Sequence, residues 1–145
     1  MKKYLITGSL GFIGKNLKEA LELKNKGIWW AWNEGNFKKK EWETELELVV
    51  KEVDAIFHVG AISSTDAADI NKTMFLNYEF SKILFDLAAK YNKKVVYSSS
   101  AAIYGQGDGI PCNLYAWTKK AAEDYGLLKV KDFISLRYFN VYGPG

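Results

Sequence analysis

The feature that most restricts this chain is the stretch "KYLITGSLGFIG", residues 3–14, where a short apolar run meets glycines at Gly8, Gly11 and Gly14. An apolar run ended by glycine is typical of a strand buried in a parallel sheet. Beyond it Ile13, Leu17, Ala20 and Leu21 fall on one helical face. Each glycine then has a physical purpose. The first permits a tight turn, the second lets backbone approach a pyrophosphate, and the third lets helix and strand pack closely. The N-terminus of the helix faces the diphosphate. Phe12 and Ile13 belong to the same turn.

The remaining sequence repeats this alternation. "IWWAW" (28–32), "DAIFHVGA" (54–61), "KVVYSSS" (94–100) and "DFISLRY" (132–138) read as strands. Asn25, Lys26 and Gly27 end the first helix. Trp42, Leu46, Val49, Val50 and Val53 mark a second helix, and Phe80, Leu84, Leu87, Ala88 and Tyr91 a longer one. The pattern predicts an α/β fold: a doubly wound parallel sheet of about five strands with right-handed crossovers, one domain over 1–145.

Composition narrows the chemistry. Cys112 is the only cysteine and His58 the only histidine, which removes disulfide frameworks, cysteine metal sites and Ser-His triads. No metal site is expected. The formal net charge is +3 and the lysines are scattered apart from Lys38, Lys39 and Lys40, so nucleic acid is not an expected partner. No signal peptide or membrane span is evident, and a cytoplasmic protein is expected.

An acidic residue about 20 positions past the glycine loop is expected to meet an adenosine ribose. Glu34 stands there beside Asn33, and Lys38 to Lys40 offer a site for a 2′-phosphate instead, so NAD and NADP both stay open. Further on, "NLYAWTKKAAEDY" puts Tyr115 and Lys119 one helical turn apart. A tyrosine is a poor base at neutral pH because its pKa is about 10, and a neighbouring ammonium favours the phenolate. Ser98, Ser99 and Ser100, at the carboxyl end of their strand, offer a hydroxyl partner for the phenol and a substrate.

Taken in order, "TGSLGFIG", "AIFHVGA", "VVYSSSAAIYG", "YAWTK" and "LRYFNVYGPG" resemble the extended short-chain dehydrogenase/reductase superfamily, in its NAD(P)-dependent nucleotide-sugar epimerase/dehydratase branch. The resemblance implies a Rossmann fold, a nucleotide-sugar substrate and a homodimer. It implies Tyr115 as catalytic acid/base, Lys119 on the nicotinamide ribose, and Ser100 on the reacting hydroxyl. It places Gly60 and Ala61 under the cofactor, Asn77 behind that wall, and Tyr138, Phe139 and Asn140 beside nicotinamide and substrate. Ser63, Ser64 and Thr65 correspond to a substrate-side loop, and His58 to a packed strand end. Phe80, Phe85 and Trp117 are available for a dimer face, although core packing is the commoner fate of such residues.

Two departures from the family pattern are visible. The stretch between Gly14 and His58 is short, so a strand–turn segment with an adenine-contacting aspartate is expected to be missing. Adenine recognition is then weakened or rebuilt from Trp30, Trp32 and Asn33, the tryptophans being equally good candidates for core or interface residues. No separate substrate domain is expected within 1–145, and the loop before Tyr115 is short. Three functions are compatible with this: a minimal sugar epimerase, a non-catalytic NAD(P)-binding module, or one half of a split enzyme.

Overall fold

The computed structural model describes residues 1–24, 26–64 and 69–145; Asn25 and Thr65, both singled out above, lie outside them. The elements alternate from the start: β1 (Lys3–Thr7), α1 (Phe12–Leu23), β2 (Ile28–Trp32), α2 (Trp42–Glu52) and β3 (Ala55–His58). They continue with α3 (Ile70–Met74), α4 (Phe80–Lys90), β4 (Lys94–Ser100), α5 (Leu114–Lys129) and β5 (Phe133–Tyr138). A π-helical turn over Phe75–Glu79 joins α3 to α4, and 3₁₀ turns follow β2 and β4. Nothing in the apolar periodicity announces the π turn, because it changes hydrogen-bond spacing without changing residue type.

All five strands are parallel, in the order β2-β1-β3-β4-β5. The usual six-stranded dinucleotide order is 3-2-1-4-5-6. Removing its outer strand and renumbering gives the order seen here, which is what a shortened connection between β2 and β3 produces. The chain reverses its lateral direction at β1 and β3, and the crevice at their carboxyl ends is where ligands of open α/β sheets bind.

The crossover from β1 to β2 runs one way along the sheet, and the later crossovers run the other. Right-handed connections therefore put α1 on one face and α2, α4 and α5 on the opposite face. The second face is the better packed. Leu5, Ile56, Val95 and Tyr97 from the strands are fully buried against Leu46, Val50, Leu84 and Phe85 from the helices. On the α1 face, register aligns Ile6, Phe57, Val96 and Ile134 across four strands. Exposure rises along that row from 0% at Ile6 to 42% at Ile134. Apolar residues on β5 thus point away from any covering helix.

Phe80 and Phe85 do not offer a dimer face. They are 3% and 0% exposed, inside the core beside His58, because the α4 face that carries them is the one turned to the sheet. Trp117 is 44% exposed and rests edge-on against Tyr78 at 5.5 Å.

One close contact fixes α5 on the sheet. A Cβ added at Gly126 would lie 2.3 Å from the Phe133 ring, which is itself wedged at 5.2 Å from Phe85. Gly126→Ala is therefore expected to cost about 1–3 kcal/mol through overpacking. Gly35→Ala, where the added carbon meets open space, should stay within about 0.5 kcal/mol of the parent. Urea unfolding of the two variants checks the contrast.

Candidate active site

The turn after β1 is built by backbone contact. Gly8 has φ +68°, and a Cβ there would lie 2.5 Å from Gly60 Cα. A Cβ at Gly14 would lie 2.1 Å from Gly8 O. The fold itself requires both glycines. Gly11 is different: its added Cβ would meet Gly8 O at an ordinary 3.5 Å. Packing within the chain does not demand a glycine there. Gly11 also stands at the N-terminus of α1, where no side chain caps the helix and no acidic residue occupies the first turn. Free backbone donors at a helix start, next to a position kept bare toward solvent, fit a diphosphate.

These residues open onto a cavity of about 510 Å³. Gly8, Gly11, Phe12, Ile13 and Gly14 line one end, and Gly60, Ala61 and Ser63 line the side beneath. Trp32, Asn33, Glu34 and Phe37 line the end beyond β2. Phe37 was not foreseen. It belongs to the 3₁₀ turn Glu34–Lys38 and stands edge-on to Trp32, Trp42, Phe75 and Phe80. Trp30 packs on the core and does not reach the cavity. Asn33 Nδ2 donates to Ser9 Oγ at 3.1 Å, tying this wall to the glycine loop. Past β5, Val141 also lines the cavity, and a Cβ added at Gly143 would lie 3.8 Å from the Phe12 ring.

A chain of buried polar groups runs behind the cavity. Thr7 Oγ1 accepts the N–H groups of Val59 and Gly60, each at 3.0 Å, so its own proton goes to His58 Nδ1 at 2.7 Å. That assigns the Nε2–H tautomer, which donates to Ser81 Oγ at 2.8 Å; Ser81 then donates to Asn77 O at 2.8 Å. Asn77, in the π turn, receives Ile62 N–H at 2.7 Å on Oδ1. Its Nδ2 donates to Ile62 O and to Thr118 Oγ1, and Thr118 donates to Tyr115 O at 2.7 Å. Asn77 therefore stays behind the cavity wall, holding the loop after β3 and α5 together. Thr7, Ser81 and Thr118 were missed because a lone hydroxyl in a helix or strand has no sequence signature.

Helix α5 starts at the carboxyl end of β4, capped by Asn113, whose Oδ1 receives Ala116 N–H at 2.8 Å. Lys119 is 3% exposed and its Nζ donates to Ser98 O at 2.6 Å, 4.9 Å from the Tyr97 ring centre. Burial brings its ammonium pKa down from 10.5 to about 7. Tyr115 lies one turn, about 6 Å, nearer the helix start, and is half-buried. One turn the other way, Glu123 is 1% exposed. Arg137 grips it through Nε at 3.1 Å and a terminal nitrogen at 2.7 Å, and Ser135 also donates to it. Burial would raise the Glu123 carboxyl, but the hydrogen bonds from Arg137 and Ser135 outweigh it and hold the pKa down. The Arg137 guanidinium also sits 4.9 Å from the Tyr104 ring, and Tyr104 stacks on Phe139.

Ser100 ends β4, where its Oγ accepts Ala102 N–H at 3.1 Å and keeps its own proton to give. Register sets Ser100 beside Tyr138. Ser100, Tyr115, Lys119 and Tyr138 thus stand at the β4–β5 end of the carboxyl edge, next to the cavity rather than lining it. Asn140 and Ser64 are exposed beyond that lining. Lys39 is held by Glu45 at 2.9 Å, and none of Lys38, Lys39 and Lys40 lines the cavity.

A glycine turn at the switch point of a parallel sheet defines a nucleotide-binding domain of the Rossmann class. Comparison supplies the family: the pattern of the NAD dependent epimerase/dehydratase family matches residues 4–145, and the chain belongs to that family. It is 29% identical to the ADP-L-glycero-D-manno-heptose-6-epimerase of Fusobacterium nucleatum, over 97% of this chain and 53% of that protein. The stretch from His58 to Ala88 already resembles that enzyme. The crystal structure of the Helicobacter pylori enzyme of the same name superposes with a TM-score of 0.85 at 27% identity, covering 99% of this chain and 56% of that one. A structure of MoeE5 with UDP-glucose and NAD shares the fold at a TM-score of 0.82 and 24% identity, over 99% of this chain and 56% of its own. The chain spans about half the length of the curated relatives it matches. The Fusobacterium alignment runs over 180 positions against 145 residues here, so that relative also carries residues inside the matched region that this chain lacks. Among the described residues, no helix is long and apolar enough to cross a membrane.

Two outcomes follow from the buried charges. Burial, helped by the Lys119 charge, takes the His58 pKa from 6.5 down to about 3. Between those values the unfolded chain binds a proton that the folded one refuses, so stability falls as the pH drops. The loss should approach about 1.4 kcal/mol per pH unit between about pH 6 and 5, and His58→Gln should flatten that slope in pH-dependent urea titrations. Glu123→Gln should cost roughly 2 kcal/mol by thermal unfolding. That is less than for a fully buried pair, because the Arg137 side chain is 38% exposed and reaches water.

Proposed function

We propose that the protein is a nicotinamide-dinucleotide-dependent oxidoreductase of epimerase or dehydratase type, acting on a nucleotide sugar. The observation that carries this reading is Lys119. A buried lysine held by a backbone carbonyl and a tyrosine ring, with no carboxylate partner among the described residues, is costly to a fold and contributes little to it. One turn from a half-exposed tyrosine, at the carboxyl edge of a dinucleotide-type sheet, it has a chemical use.

Gly8, Gly11, Phe12, Ile13 and Gly14 would hold the diphosphate, Asn33 and Glu34 the adenosine end, and Gly60 and Ala61 the floor. Bound dinucleotide supplies a hydride acceptor and donor at a sugar carbon, and return of the hydride to the opposite face inverts that carbon. Tyr115, as phenolate, would take the proton of the sugar hydroxyl as the hydride leaves the carbon, and the phenol so formed would return it on reduction. Ser100 keeps a proton to donate and orients the same hydroxyl. Lys119 would donate to the ribose. Tyr138, Ser63, Ser64 and Asn140 border the sugar. A homodimer in the cytoplasm is the setting, with the exposed Trp117, resting on the half-buried Tyr78, as an aromatic contact. The heptose epimerases named above support an ADP-sugar as the first substrate to try.

A second reading, one half of a split enzyme completed by another polypeptide, is favoured by one observation: Ile134 and Leu136 of β5 are 42% and 39% exposed on the uncovered face. Catalysis needs water excluded around the reacting carbon. Turnover of ADP- and UDP-sugars by the purified chain separates the two.

Tyr115→Phe is expected to lower turnover by about a thousandfold while calorimetric affinity for the dinucleotide stays within about twofold, since the lost proton transfer is not a binding contact. Equal losses in both would count against the acid/base role.

A further inference from the structure

The adenosine end of the cavity carries a charge that its own segment does not supply. Glu34 lines the cavity just past β2, and Lys72 Nζ lies 3.3 Å from its Oε1. Lys72 belongs to α3, beyond β3 in the chain. Its place is set by Asp69, which caps that helix by receiving Lys72 N–H at 2.9 Å. Neither the basic run after Glu34 nor Lys72 itself lines the cavity; Lys39 is engaged by Glu45, whereas Lys72 reaches the rim through Glu34, which does line it. An acidic residue from one side of the switch point and a basic residue from the other thus meet at the same rim.

We propose that Lys72 is a second reader of the adenosine ribose, and that the Glu34–Lys72 pair sets how sharply the site separates a free 2′-hydroxyl from a 2′-phosphate. The proposal rests on the cavity being a dinucleotide site. A carboxylate accepts the proton of a ribose hydroxyl and repels a phosphate carrying close to two negative charges. An ammonium does the reverse: it is a compact charge with rotatable donors and a strong phosphate ligand. The two side chains are 61% and 50% exposed, so the pair holds itself together weakly and opens at little cost. With NAD bound, Glu34 takes the hydroxyl and Lys72 tempers its charge. With NADP, Lys72 swings to the phosphate and offsets the repulsion from Glu34. The wild-type site prefers NAD, and Lys72 keeps that preference modest.

A surface ion pair without consequence for ligands is the ordinary alternative, and it makes a different forecast. Calorimetric titration of NAD and NADP into the wild type, Lys72→Ala, Lys72→Gln, Glu34→Ala and the double variant distinguishes them. Lys72→Ala and Lys72→Gln should weaken NADP about tenfold and leave NAD within about twofold, widening the preference. Glu34→Ala should narrow or invert it by about tenfold, and adding Lys72→Ala should remove that gain. Raising the salt should weaken NADP binding more steeply in the wild type than in Lys72→Ala. Unchanged ratios in both lysine variants, or equal weakening of both cofactors, would overturn the proposal while leaving the dinucleotide site intact. A folded wild type that binds neither cofactor would overturn the underlying reading, and the proposal with it.

Discussion

Everything at the carboxyl edge depends on backbone touching backbone at the switch point. Gly8 and Gly60 approach so closely that no side chain fits between them, and α1 begins against the carbonyl of Gly8 through Gly14. This contact brings the ends of β1 and β3 and the start of α1 into one crevice. It also leaves Gly11 as the one glycine of the three at which an added Cβ would meet only an ordinary contact. Thr7 locks the arrangement by accepting the two N–H groups that follow His58. A glycine turn alone would be loose; the hydroxyl beneath it closes the β3 end.

From that point a continuous set of hydrogen bonds reaches α5. His58 is neutral and buried between Thr7 and Ser81, Ser81 reports to the π turn, and Asn77 joins the loop after β3 to Thr118. Every member is satisfied, which is the condition under which a buried polar network specifies one arrangement rather than weakening it. The π turn is what aims Asn77 at both Ile62 and Thr118. Tyr115 therefore inherits its position from the same network that shapes the cavity. Glu123 and Arg137 secure the other end of α5 to β5. The cofactor end and the proton-transfer end of the proposed site are parts of one rigid edge.

The sheet is less evenly covered. Three helices pack on one face and one on the other, and the apolar row from Ile6 to Ile134 grows more exposed toward β5. Parallel sheets are ordinarily covered on both faces. The relatives that share this fold are about twice as long. The shortened link between β2 and β3 is compensated locally: Phe37 closes the space beside Trp32 with a knot of edge-on aromatic rings, and Glu34 remains at the rim.

The residues by themselves determined the five strands and the helices that bury an apolar face, because period-two and period-3.6 patterns and glycine turns are local properties. They also marked Gly8, Gly11, Gly14, Ser100, Tyr115 and Lys119, since each belongs to a short motif with a mechanical reason. Only the tertiary structure decided what depends on distant segments meeting. Phe80 and Phe85 went to the core rather than to a partner, Trp30 turned away from the cavity, and Lys72 arrived at Glu34. Hydroxyls such as Thr7, Ser81 and Thr118 acquired roles only once their partners were in place. The physical reason is range: helix and strand propensity acts over a few neighbours, whereas burial, charge pairing and hydrogen-bond satisfaction are settled by contacts between segments far apart in the chain.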